Sequence, residues 1–184
     1  METTRAKAPF DRRVRRTRAA IKDSFLTLTR EKAPSEITVK EVMSLANVNR
    51  ATFYAHFANI DELSAAIETD AATAIVAHCE EAFAGRIVSD AAEACGVLCD
   101  AVLADPDSLA WVAGPVASGC GKDLLREQAR AHWGDVSKDD GELTFDLLFD
   151  GCVGLAGQWC ENPEKIDKDE VKAAICSAVQ KLAA

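Results

Sequence analysis

Apolar positions along the chain recur at spacings of three and four residues, and no pair of alternating segments flanks a hairpin turn, so the pattern predicts an all-α protein of about nine helices. A first helix over about 11–31 places Val14, Ile21, Phe25 and Leu28 on one face, with arginines crowding the rest of its first half; Pro34 ends it or follows its end. Thr38-Val39-Lys40-Glu41 has the spacing of a capping box, in which threonine and glutamate satisfy each other's free backbone N–H groups. It opens a short second helix that yields at Asn47-Val48 to a tight turn, after which Asn49 caps a third helix from Arg50 to about Phe57. Two short helices joined in this way form a helix-turn-helix. Asp61-Glu62 gives an acidic start to a long fourth helix reaching Phe83. Further helices are expected over about 90–104, 106–113, 121–133, 141–160 and 166–182. The glycine-rich run from Gly114 to Gly121 lacks the strand-loop-helix context of a phosphate cradle and is expected to be a connector.

Composition adds little to this until it is divided. The 184 residues, 48% hydrophobic and 28% charged, have an ordinary globular balance, with no apolar run of bilayer length and no export signal, so a cytoplasmic, nucleoid-associated protein with no membrane partner is expected. The net charge of −9 is distributed unevenly. Residues 1–60 hold 12 Lys and Arg against 6 Asp and Glu, whereas residues 61–184 hold 9 against 24. A head of net +6 on a body of net −15 points to a polyanion partner for the head alone, because basic surface gains counterion-release free energy on DNA and acidic surface is repelled. The expected domains are therefore 1–60, a helix-turn-helix DNA-binding domain with a basic N-terminal arm, and 61–184, a helical effector-binding and dimerisation domain. Seven cysteines in an odd count, with no CxxC pair, read as small buried hydrophobes rather than a disulfide framework. Cys95 and Cys99 share a helix face and are two soft ligands, but two alone define no metal site, and neither metal nor cofactor is expected.

The segment Thr38–Leu63, above all Thr52-Phe53-Tyr54-Ala55-His56-Phe57 followed by Asn59 and Glu62-Leu63, closely resembles the DNA-binding segment of the tetracycline-repressor (TetR) family of bacterial regulators. The resemblance is specific over about residues 12–63 and looser beyond. It implies a sequence-specific, ligand-responsive regulator, a repressor released by a small-molecule effector from double-stranded palindromic operator DNA, acting as a homodimer. The residues agree with this independently. On a third helix, Arg50, Thr52, Tyr54 and His56 face outward and offer donors and a flat aromatic to a major groove, while Val48, Phe53 and Phe57 anchor the helix. Expected DNA contacts are Arg12, Arg13, Arg16, Thr38, Asn49, Arg50, Thr52, Tyr54 and His56, with Arg50 as base reader and the arginine cluster reaching phosphates or a minor groove. One departure stands out. The family places lysines where this chain has Ala58 and Ile60, so a phosphate contact at the start of the fourth helix falls to backbone N–H groups.

In the body, the helix over 143–160 carries two apolar faces and three glycines, Gly151, Gly154 and Gly157, which let another helix approach closely. Together with the last helix it is expected to form the dimer interface through Phe149, Cys152, Val153, Ala156, Cys160, Ile175 and Val179. An effector pocket is expected to draw on Cys99, Trp111, Trp133, Phe145 and Phe149, with Asp100 or Glu127 meeting a cationic ligand at its edge. The alternatives are a thiol- or metal-responsive regulator of the same fold, a sequence-independent architectural DNA protein and a helical enzyme. For an enzyme there is no nucleophile elbow, metal motif or local Cys-His signature, and no catalytic residue is expected.

Overall fold

The computed structural model describes residues 7–84, 91–114, 117–133 and 142–182. Among these it is helical throughout, with nine α-helices and no strand. They are α1 (Lys7–Leu28), α2 (Val39–Leu45), α3 (Arg50–Tyr54), α4 (Ile60–Phe83), α5 (Ala91–Val102), α6 (Pro106–Ala113), α7 (Cys120–Trp133), α8 (Glu142–Glu161) and α9 (Lys168–Leu182), with a single 3-10 turn at Pro34–Glu36. Contacts divide the chain into two units, Met1–Ile67 and Glu68–Ala184.

The head unit closes around Ile21 and Phe25 of α1, Ile37, Val42 of α2, Phe53 of α3, Phe57, and Leu63 and Ile67 of α4, all buried. Helix α1 begins at Lys7, four residues earlier than the sequence pattern indicates, and carries the arginine cluster as expected from that pattern. Lys22, on the same helix, is buried. Its ammonium donates to the Ala66 carbonyl at 2.9 Å and ties α1 to α4.

The body's core gathers Ala71, Ala72 and Ile75 of α4, Cys95 and Cys99 of α5, Leu103 just after α5, Leu109 and Val112 of α6, Ala156 of α8, and Val171, Ile175 and Val179 of α9. Within it α5 packs on α9, α6 on α8, and α8 on α9. Of the three α8 glycines, Gly157 is where a neighbouring helix comes close: a Cβ there would lie 2.4 Å from the Ala113 carbonyl oxygen of α6. Gly151 and Gly154 have nothing of the subunit's described residues within 4 Å of such a Cβ.

Candidate nucleic-acid interface

Two local caps and a left-handed residue between them fix the turn that joins α2 to α3. At the start of α2 the Thr38 N–H and hydroxyl both donate to the Glu41 carboxylate, at 2.8 and 2.6 Å, and the Glu41 N–H returns to the Thr38 hydroxyl at 3.3 Å. The Lys32 ammonium, also bonded to Glu41, and then Thr38 hold that carboxyl down at about 2. Asn47 then takes a left-handed φ of 51°, a conformation asparagine tolerates because its side chain can bond locally, and the chain reverses. Asn49 caps α3 by accepting from the Thr52 N–H at 2.8 Å. Helix α3 itself ends at Tyr54, shorter than expected, although the N–H groups of His56 and Phe57 still donate to the Phe53 carbonyl.

This brief helix is held from beneath. Phe53 and Phe57 are fully buried with ring centroids 6.2 Å apart, and the Arg18 guanidinium of α1 covers the Phe57 ring at 4.7 Å. Above it Tyr54 is 45% exposed, edge-on to Phe53, and the Arg50 guanidinium lies 5.3 Å from the Tyr54 ring centre. Arg50, Tyr54, Thr38 and Asn49 are exposed, Thr52 and His56 half-buried, and Arg12, Arg13 and Arg16 exposed on α1. An arginine stacked on its own helix's aromatic ring keeps its fork free to face outward, with less rotamer entropy to lose on binding.

The start of α4 departs from expectation. The Ala58 N–H donates to the Glu62 carboxylate at 2.6 Å and the Glu62 N–H to the Asn59 side chain at 2.8 Å, so these two backbone donors are already satisfied by the turn itself. Glu62 thereby supplies an anion to the Ala58 N–H.

Phe145 and Phe149 stack at 5.8 Å, and their faces are covered by the guanidinium groups of Arg130 and Arg126, at 4.8 and 4.7 Å. Arg126 also reaches Asp146 and Asp150, at 2.7 and 2.6 Å. Thus a cation–π pairing at these two rings is made by the protein itself, and Asp100, expected to meet a cationic ligand, is met by Lys172 at 2.6 Å. Cys99 is in the core and Trp111 packs against it, while the Trp133 side chain lies outside the described residues. Phe149, Cys152, Val153 and Cys160 are half-buried. Ala156, Ile175 and Val179, placed by the sequence reading at a dimer face, are buried in the subunit's own core; an apolar stripe serves whichever neighbour it meets first. Among the described side chains of α8, the large apolar ones left exposed are Leu147 and Leu155, at 68% and 37%.

Two body constellations escape sequence reasoning. Glu68 is 1% exposed, and its carboxylate accepts from the Ser118 N–H and hydroxyl, at 2.8 and 2.6 Å, and from the N–H groups of Gly119 and Gly121, at 3.0 and 2.9 Å. The glycine-rich connector is therefore an anion cradle after all, filled by an internal carboxylate at the N-terminus of α7. Gly119 supplies the left-handed turn, with φ of 100°, and a Cβ at Gly121 would lie 2.8 Å from Glu68 Cγ. Burial pushes the Glu68 carboxyl up, but the Ser118 hydroxyl and the Gly121 and Ser118 N–H groups outweigh it and leave it below the ordinary range. An acid four and seven residues before the apolar Ala72 and Ile75, on one helix face, is the sequence signal for it. The second constellation joins Cys95, Cys99 and Cys176, whose Sγ atoms all lie within 4.8 Å of one another. A hydrogen bond with Cys99 and then burial push the Cys95 thiol far up, and burial followed by the neighbouring Cys95 pushes Cys176 up.

An exposed arginine and aromatic on the second helix of a helix-turn-helix, with a basic first helix beside it, are the features of a DNA-binding head. Residues 26–67 match the family model described as bacterial regulatory proteins, tetR family. An uncharacterized HTH-type transcriptional regulator from Bacillus subtilis (strain 168), YxbF, is 46% identical over 55 residues, which are 29% of this chain and 14% of that protein. A TetR transcriptional regulator from Streptococcus agalactiae 2603V superposes with a TM-score of 0.64 at 23% identity, over 94% of this chain and 98% of that one. The repressor AlkX from Dietzia sp. strain DQ12-45-1b, described as implicated in biodegradation of n-alkanes, matches more loosely: TM-score 0.48 and 16% identity over 90% of this chain and 98% of that one. Residues 26–67 are thus similar to the DNA-binding segment of the tetR family, and the chain shares its overall fold with the Streptococcus agalactiae structure. Among the described residues, no helix is long and apolar enough to cross a membrane.

Proposed function

We propose that the chain is a dimeric transcriptional repressor whose paired heads, built from residues 1–60, read a two-fold-symmetric operator and whose body, residues 61–184, releases it on binding a small effector. The observation that carries this reading is the exposed Arg50–Tyr54 stack on a helix braced by buried Phe53 and Phe57. In the dimer the two recognition helices stand about one turn of B-DNA apart, ~34–36 Å. Arg50 reads a base edge, Thr38, Asn49, Thr52, Tyr54 and His56 fix the head on the backbone and neighbouring bases, and Arg12, Arg13 and Arg16 of the helical α1 hold flanking phosphates.

Two observations support the body's part. Leu147, Gly151, Gly154 and Leu155 are exposed and fall on one face of α8, where small residues admit a close helix; that face pairs with its two-fold copy. His78 has a buried Nδ1 without a hydrogen-bond partner, the kind of group a ligand would satisfy. Footprinting upstream of the chain's own gene, followed by binding to operator variants, tests the reading. Arg50→Ala is expected to lose about 1–3 kcal/mol and relax preference at one position per half-site. Arg13→Ala is expected to weaken all sequences alike and lower the salt slope by about 1. Equal effects of the two changes on every operator variant would overturn the assignment, and undiminished binding by a Leu147→Glu monomer would overturn the dimer.

A further inference from the structure

We infer that Cys95, Cys99 and Cys176 form a trithiolate site for a soft metal ion, set in the seam between α5 and α9. Cys95 and Cys99 lie one turn apart on α5 and are buried, and Cys176 comes from α9, the helix on which α5 packs. The three sulfurs fall within 4.8 Å of one another, with no other His, Cys, Asp or Glu of the described residues in the group. Three sulfurs bound at about 2.3 Å to one ion lie roughly 3.8–4.0 Å apart, so small rotations about χ1 close the site without moving either helix. The seam is already pinned: Lys172, one turn before Cys176, is bonded at 2.6 Å to Asp100, the residue after Cys99. Four of the seven cysteines stand outside the group, so the cluster is more than a general preference for cysteine as a small core residue.

Sulfur ligands without oxygen or nitrogen partners select soft ions such as Cu(I), Zn(II) or Cd(II) and are wrong for Mg(II) or Ca(II), which need oxygen. On binding, three S–H bonds give up their protons to solvent and three metal–sulfur bonds form, with no electron transferred. A divalent ion then leaves the site with one negative charge. Cys176 is only half-buried and gives the ion its point of entry.

The site stands apart from the repressor reading, so a failure to bind DNA leaves it unchanged. The test titrates the full reduced chain with Cd(II) and follows ultraviolet thiolate-to-metal absorbance, protons released, and the cysteines protected from alkylation by mass spectrometry. One ion per chain is expected, with about three protons released per ion and protection confined to Cys95, Cys99 and Cys176. Cys176→Ser, which keeps the side chain's shape at a half-buried position, is expected to keep its helical circular dichroism and lose about tenfold or more in affinity. Cys152→Ser and Cys120→Ser are expected to bind as the parent does. Competition with Zn(II) and with Cu(I) then ranks the natural candidates. Absorbance that survives Cys176→Ser, protection of other cysteines instead, or a chain that takes up none of the three ions overturns the proposal.

Discussion

The polar ties that shape the head's helix-turn-helix run between near neighbours in sequence, whereas several that hold the body join distant ones. Thr38 and Glu41, Asn49 and Thr52, and Ala58 and Glu62 are three or four residues apart. Glu68 reaches Ser118 across 50 residues, Arg126 reaches Asp150 across 24, and Lys172 reaches Asp100 across 72. A short tie shapes one turn and costs little chain entropy to close, while a long tie orders everything between its ends. The head's turn is thus assembled from independent local caps, and the body is held by contacts that stand or fall with its tertiary structure.

The sharpest way to break this comparison is Glu68→Ala. It leaves the donors of Ser118, Gly119 and the buried Gly121 without an acceptor and is expected to cost about 2 kcal/mol, read as a lower urea midpoint of the body. Because the folded carboxyl lies below its ordinary range, the stabilisation is complete above about pH 5 and is lost as pH falls through the folded value, so parent and variant should converge in acid. A constant difference down to pH 2 would show that the carboxylate charge is not what the loop holds.

Next in size is Gly157→Ala, which forces α8 away from the Ala113 carbonyl and is expected to cost about 2 kcal/mol. Gly96→Ala on α5, with nothing of the described residues within 4 Å of the added Cβ, is the control in the same melt. Asn49→Ala removes a local cap and is expected to cost about 1 kcal/mol. Its effect should appear as faster amide exchange in α3 and weaker DNA binding, with the body's midpoint unchanged; a fall in that midpoint would show that the head's caps are not independent. Smallest is Lys172→Ala, an exposed ion pair worth about 0.5 kcal/mol in spite of its long span. A loss several times larger would mean that sequence separation alone sets the strength of a tie.

This contrast also explains what can be read from the sequence. Helix order, the Thr38 box, the Asn49 cap and the buried Phe53 and Phe57 follow from residues a few places apart, so their chemistry is visible in the string. The third ligand of the thiol cluster, Cys176, lies 77 residues beyond Cys99 and acquires meaning only when α9 packs on α5. Lys22 was likewise invisible, since its acceptor is a backbone carbonyl 44 residues on, which no side-chain pattern announces. The aromatic rings of α8 were recognised as a feature, but their cations come from α7, and periodicity on one helix says nothing of its neighbour.

Tyr54 is the chain's single tyrosine, and Trp111, Trp133 and Trp159 all belong to the body. The molecule thus carries separate optical labels for its two units without any engineering. Excitation selective for tryptophan reports the body alone. A fluorinated tyrosine incorporated during expression gives one fluorine resonance, on the outward face of α3 beneath Arg50, whose shift records what touches that ring.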